Sequence, residues 1–136
     1  MSPSGPGFGG LYDEGGTTSW DAMRGPFLMA TGTNDQKPLK PELTGAIRRL
    51  PFEAQPADSE RWLLYSNLAV GIGGHGTYNL GDLDSRDERV QRLSAAIASS
   101  ALAVLDAHLR DDARARAWLA SDDARVLAGD LDWLSR

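Results

Sequence analysis

Residues 61–78 read RWLLYSNLAVGIGGHGTY, an apolar run that breaks into glycines at 71, 73, 74 and 76 with a histidine among them. The first half, with Trp62, Leu63, Leu64 and Tyr65, is the best strand in the chain, because β-branched, aromatic and aliphatic residues in a short run bounded by breakers favour a pleated, buried conformation. The second half decides what that strand is for. Gly71, Gly73 and Gly76 match the letters of a G-x-G-x-x-G dinucleotide turn, so the loop is either a phosphate cradle or a device for presenting His75.

A dinucleotide turn needs a helix to begin inside the glycine motif, so that its first amides face the pyrophosphate, and an acid at the end of the next strand about 20 residues on. Here Thr77, Tyr78, Asn79, Leu80, Gly81 and Asp82 intervene before any helix signal. Near position 96 stand Ala95 and Ala96, inside a helical pattern with no strand expected after it. The phosphate reading fails on both counts. Glycines without a Cβ serve His75 instead, letting the chain turn sharply past the strand end and leaving room beside an imidazole.

Upstream, Phe27-Leu28-Met29-Ala30-Thr31-Gly32 is a nearly continuous apolar run after Pro26, the pattern of a strand covered on both faces, and it ends in Thr33-Asn34-Asp35. Between the runs, Lys40-Pro41-Glu42 opens a helix carrying Leu43, Ile47 and Leu50 until Pro51 disturbs it, and Arg48 and Arg49 read as its solvated end. Strand, helix, strand is a βαβ unit, so the two strands are predicted parallel, joined by a right-handed crossover. Loops off the carboxyl ends of parallel strands are where open sheets place their chemistry. Asp35 and His75 occupy those two loops, and a carboxylate beside an imidazole is the acid and base part of a Ser-His-Asp relay.

After the glycine loop, Ser85-Arg86-Asp87-Glu88 forms a capping box, and Val90, Leu93, Ile97, Ala101, Val104, Leu105 and Leu109 make one apolar stripe of a helix of about 25 residues. A helix of this length is made to pack on a wide sheet, so part of its Val90, Ile97 and Leu105 stripe is expected to lack cover on two strands. Asp111-Asp112 and Asp122-Asp123 start two shorter helices, and Leu131, Trp133 and Leu134 pack behind Gly129 as a C-terminal latch. Residues 1–25 hold seven of the fifteen glycines and no sustained hydrophobic period, the composition of loop. The organisation is thus one domain over 1–136: loop to residue 25, the βαβ unit with its acid and histidine loops over 26–81, and C-terminal helices over 82–136.

Pro26 to Asp35, the pairs Arg48-Arg49 and Pro51-Phe52, Trp62 to Tyr65, and Gly74-His75-Gly76-Thr77-Tyr78 together resemble the C-terminal half of an α/β-hydrolase, closest to the dienelactone hydrolase, chlorophyllase and platelet-activating-factor acetylhydrolase-like group. Residues 105–109, 117–119 and 129–130 are similar to the last helices of such enzymes. The resemblance implies an α/β fold with parallel strands and a long C-terminal helix. It also implies that Asp35 is the acid and His75 the base of a serine esterase, with a small-molecule ester as substrate. No G-x-S-x-G occurs anywhere in the sequence, and Ser4, in the opening SPSGP, lacks the strand and helix that flank a nucleophile elbow. The nucleophile and the oxyanion donors are therefore expected upstream, in a missing N-terminal half. The alternative is a truncated or split-gene product with no activity alone.

The bulk properties narrow the remainder. A net charge of −5, with arginines interleaved among aspartates, speaks against nucleic acid as a partner. Without cysteine there is no disulfide framework, no thiolate chemistry and no cysteine-based zinc site, and neither a metal nor a cofactor is expected. No run reaches the ~20 apolar residues of a membrane span. His108, beside the helix stripe, and Trp20, Trp62, Trp118 and Trp133 are read as packing residues.

Overall fold

The computed structural model describes residues 24–35, 47–66, 84–128 and 131–135. Within them the chain forms β1 (Phe27–Gly32), a single 3-10 turn (Ile47–Arg49) running into α1 (Leu50–Glu53), and β2 (Arg61–Ser66). Three helices follow, α2 (Glu88–Leu109), α3 (Ala113–Leu119) and α4 (Asp122–Ala128), and then β3 (Leu131–Ser135). The strands make a three-stranded mixed sheet in the order β1-β2-β3. Strand β1 runs parallel to β2, Phe27 level with Arg61 and Gly32 with Ser66, as the βαβ pattern predicts.

The alternation of side chains along the strands explains why both faces are apolar. Leu28 and Ala30 on β1, Trp62 and Leu64 on β2, and Trp133 on β3 point to one face, where Leu93, Ala96, Ile97, Val104 and Ala107 of α2 cover them together with Leu119 and Ala124. Met29, Leu63 and Tyr65 point to the other, where Phe52 of α1 packs on them, with Phe27 and Leu134 at the margin. A parallel pair needs both faces covered, and a near-continuous apolar run such as FLMATG or RWLLYS is the consequence. Deleting the centre of such a run, for example by Leu63→Ala at a fully buried position, removes contacts on which a whole layer rests.

Four expectations are corrected. The segment 131–135 is not a packed latch but a strand, antiparallel to β2, with Leu134 beside Leu63 and Trp133 beside Leu64. Its alternating Leu-Asp-Trp-Leu-Ser carries the period of a strand, and Gly129 and Asp130 in front of it are turn-forming types. The sheet is accordingly mixed, and a strand does follow the helices; being antiparallel and more than fifty residues beyond the glycine loop, it supplies no ribose-binding acid. The helical turn of the crossover spans 47–53 and holds Pro51 within its first turn, where a missing N–H costs no hydrogen bond, rather than ending before it. The expected start at 40–42 lies outside the described residues.

The third correction concerns the start of α2, whose 22 residues are close to the expected length. Its N-cap is Asp87, whose carboxylate accepts the Arg89 N–H at 2.9 Å, while Ser85 accepts the Asp87 N–H at 3.2 Å. Asp87, in extended backbone, takes the N-cap position two residues beyond the serine. The two shorter helices expected after α2 do follow, and then the strand β3. The stripe of α2 is bare in part, as expected at Leu105 and further at Leu102 and Leu109, whereas Val90 and Ile97 are buried. Asp112 caps α3 by accepting from Arg114 and Ala115, and Asp111 before it takes a left-handed φ of 56°, a conformation Asp tolerates better than most residues. The fourth correction, at Arg48, belongs to the site.

Candidate functional site

Beyond β1 the chain turns at once. The Asp35 N–H donates to the Gly32 carbonyl at 3.0 Å, and the Thr33 N–H and hydroxyl both donate to the Ser66 carbonyl, at 2.9 and 3.0 Å. These bonds tie the turn after β1 to the last residue of β2. Asp35 is thereby held at the carboxyl end of the parallel pair, beside the point where β2 ends and the chain runs on toward His75. His75, its glycines and all of residues 67–83 lie outside the described residues.

The Asp35 side chain is fully buried, at 0% exposure. Its Oδ2 accepts the Thr31 hydroxyl at 2.8 Å, and its Oδ1 stands 3.8 Å from the Arg48 Nη2. A buried carboxylate needs hydrogen-bond donors and a countercharge, and Thr31 and Arg48 contribute one of each. Thr31 reaches Asp35 because the turn folds the chain back on its own strand end. Arg48 comes from the 3-10 turn of the crossover and is itself buried, its side chain 8% exposed. This overturns the reading of Arg48 as part of a solvated helix end. Arg49 is likewise engaged: its guanidinium lies 5.0 Å from the Tyr65 ring centroid and its Nε 3.3 Å from Glu53. Burial pushes the Tyr65 phenol pKa up, with Arg49 pulling the other way.

The opposite end of β2 carries a second polar cluster that sequence reading passed over. Arg61 donates to the Gln55 and Pro56 carbonyls and lies 5.5 Å from the Phe52 ring, closing the crossover onto the strand start. Glu60, just before it, meets His108 of α2 with Oε2 3.3 Å from Nε2, and the imidazole sits 5.8 Å from the Trp62 ring at a tilt of 56°. His108 does pack, as expected, but it also faces a cleft. Only tertiary placement joins Glu60 to a residue 48 positions away, so no local spacing announces the pair. Among the described residues, no group of three His, Cys, Asp or Glu is placed to hold a metal ion, and no helix is long and apolar enough to cross a membrane.

Chemically, the carboxyl end offers a desolvated, oriented carboxylate, fit to fix and charge-stabilise a basic group placed against it. The amino end offers an exposed carboxylate, an imidazole and an indole around an opening. No family model, curated protein or solved structure matches the chain.

Proposed function

We propose that this chain is the C-terminal part of a serine hydrolase of the α/β-hydrolase class, acting on ester bonds, with Asp35 as the acid and His75 as the base of its triad. The observation that carries the reading is the Asp35 carboxylate: fully buried, held by Thr31 and Arg48, and tied at the carboxyl end of two parallel strands next to the end of β2. The glycine-rich loop that follows β2 in sequence would bring His75 to that end. In the complete enzyme His75 takes the proton of a serine supplied by chain outside these 136 residues, and that serine attacks the ester carbonyl. His75 then returns the proton to the leaving alkoxide and activates water for deacylation. Asp35 orients the imidazole and stabilises the imidazolium without itself becoming protonated.

Ester hydrolysis by the full gene product containing these residues tests it. His75→Ala and Asp35→Asn each lower kcat by about 10⁴, and the 136-residue chain alone is not labelled by a fluorophosphonate above its heat-denatured background. Labelling of the isolated chain, or a full product whose hydrolysis survives His75→Ala, would overturn the assignment.

One observation favours a second reading. The Arg48 guanidinium already serves as countercharge to Asp35, so the pair can act purely to fasten the crossover to β1, in a non-enzymatic split-gene product. The two readings part at His75→Ala in the full product, which leaves a fastening role untouched.

A further inference from the structure

We infer that the cleft at the amino end of β2 is a binding site for a small aromatic or aliphatic amine, with Glu60 receiving the ammonium group. The cleft has a volume of about 280 Å³ and is lined by Glu60, Trp62, His108, Arg116, Leu119 and Ser135. That is just below the roughly 300–1,000 Å³ of sites for drug-sized ligands, so it suits a molecule with a single ring. Leu119 and Trp62 contribute apolar lining, and Glu60, His108, Arg116 and Ser135 the polar groups.

The charges decide the ligand's sign. Two basic groups, Arg116 and His108, stand against one acid, but Arg116 is already engaged: its Nη2 lies 2.7 Å from an Asp111 carboxylate oxygen and donates to the Ala107 carbonyl at 2.8 Å. Asp111, outside the cleft, is the countercharge of Arg116. Glu60 is different, because among the described residues its carboxylate meets His108, at 3.3 Å, and is 64% exposed toward solvent. That exposure opens it to an ammonium arriving from solvent, with the Ser135 hydroxyl in the same lining as a further acceptor. Trp62 offers the ring type that attracts cations best. The overall charge of −5 adds a long-range pull on cations.

This cleft is separate from the hydrolase site. Trp62 is level with Ser135, the last residue of β3, while Asp35 lies past the level of Ser66; four residues of strand, at ~3.3 Å each, divide the two levels. The inference therefore stands whether or not the chain belongs to an esterase.

Benzylamine is the probe, read through the histidine ring signals of the 136-residue chain. There are two histidines, and His75→Ala identifies the His108 signal by elimination. We expect benzylamine to move the His108 signal saturably, and benzyl alcohol and phenylacetate to bind about tenfold more weakly or worse, as loss of one charged hydrogen bond implies. Glu60→Gln, at an exposed position where the fold has little at stake, should weaken benzylamine about tenfold and leave benzyl alcohol unchanged. A His108 signal unmoved by benzylamine, phenylacetate binding as tightly as benzylamine, or Glu60→Gln without effect would each overturn the proposal.

Discussion

The two ends of β2 carry the same functional group in opposite circumstances. At the carboxyl end Asp35 is wholly enclosed, with Thr31 and Arg48 against it. At the amino end Glu60 is 64% exposed and has His108 at its side. A carboxylate that has surrendered its water depends on its protein partners for being charged at all, and it is oriented by them; one that keeps its water is free to exchange partners. The first arrangement suits a group that must hold another side chain in one tautomer, and the second suits a group that must bind and release.

Breaking each end separately measures the contrast. Asp35→Ala strands the Arg48 guanidinium in the interior and should cost about 3–5 kcal/mol in urea denaturation, the usual loss when one member of a buried pair is removed. Adding Arg48→Met to that variant should recover a large part of the loss, since a matched apolar pair carries no unpaired charge. A loss below about 1 kcal/mol for Asp35→Ala would mean that Arg48 finds solvent easily, and the enclosure of Asp35 would then be overstated.

Asp87 sharpens the comparison from a third position, where a carboxylate is exposed yet held. Its pKa is pushed down to about 2, first by the Arg89 side chain, which donates from Nη2 at 2.7 Å, and then by the Arg89 backbone N–H. Since the folded value lies below the ordinary value of 3.8, this contribution to stability is fully present above about pH 4 and is lost as pH falls through about 2. Asp87→Asn should remove that acid-side slope from a pH series of melts. An unchanged slope would assign acid sensitivity to other carboxylates.

The smallest effect belongs to Glu60. Glu60→Gln should change stability by less than about 0.5 kcal/mol, because an exposed polar contact of this kind contributes little beyond its own side-chain ordering. A loss comparable with that at Asp35 would erase the distinction between the two ends.

What the sequence made legible follows the same physical line. Local patterns were enough for β1 and β2, whose apolar runs require two covered faces, and for α3 and α4, each opened by a pair of aspartates. Asp35 could be placed because a turn after a buried strand has only one end of the sheet to go to. Arg48 could not, since Arg48-Arg49 beside a proline reads equally as a solvated terminus, and only the fold of the crossover turns one of the two inward. Residues 131–135 read as a latch because three apolar or aromatic positions near a chain end fit a latch as well as a strand; their pairing with β2 is long-range and leaves no local mark beyond alternation. The Glu60–His108 cleft is tertiary for the same reason.

The most direct test of the central claim is the pH titration of the His75 ring, followed by its NMR signals in the intact chain and in Asp35→Asn, with His108 as internal control for folding. If Asp35 stabilises the His75 imidazolium, His75 titrates above the ordinary histidine value of about 6.5, and neutralising Asp35 lowers it by about one unit or more while His108 stays in place. A His75 that titrates at the ordinary value and does not respond to Asp35→Asn, in a chain whose His108 signal shows it folded, would contradict the pairing of these two residues.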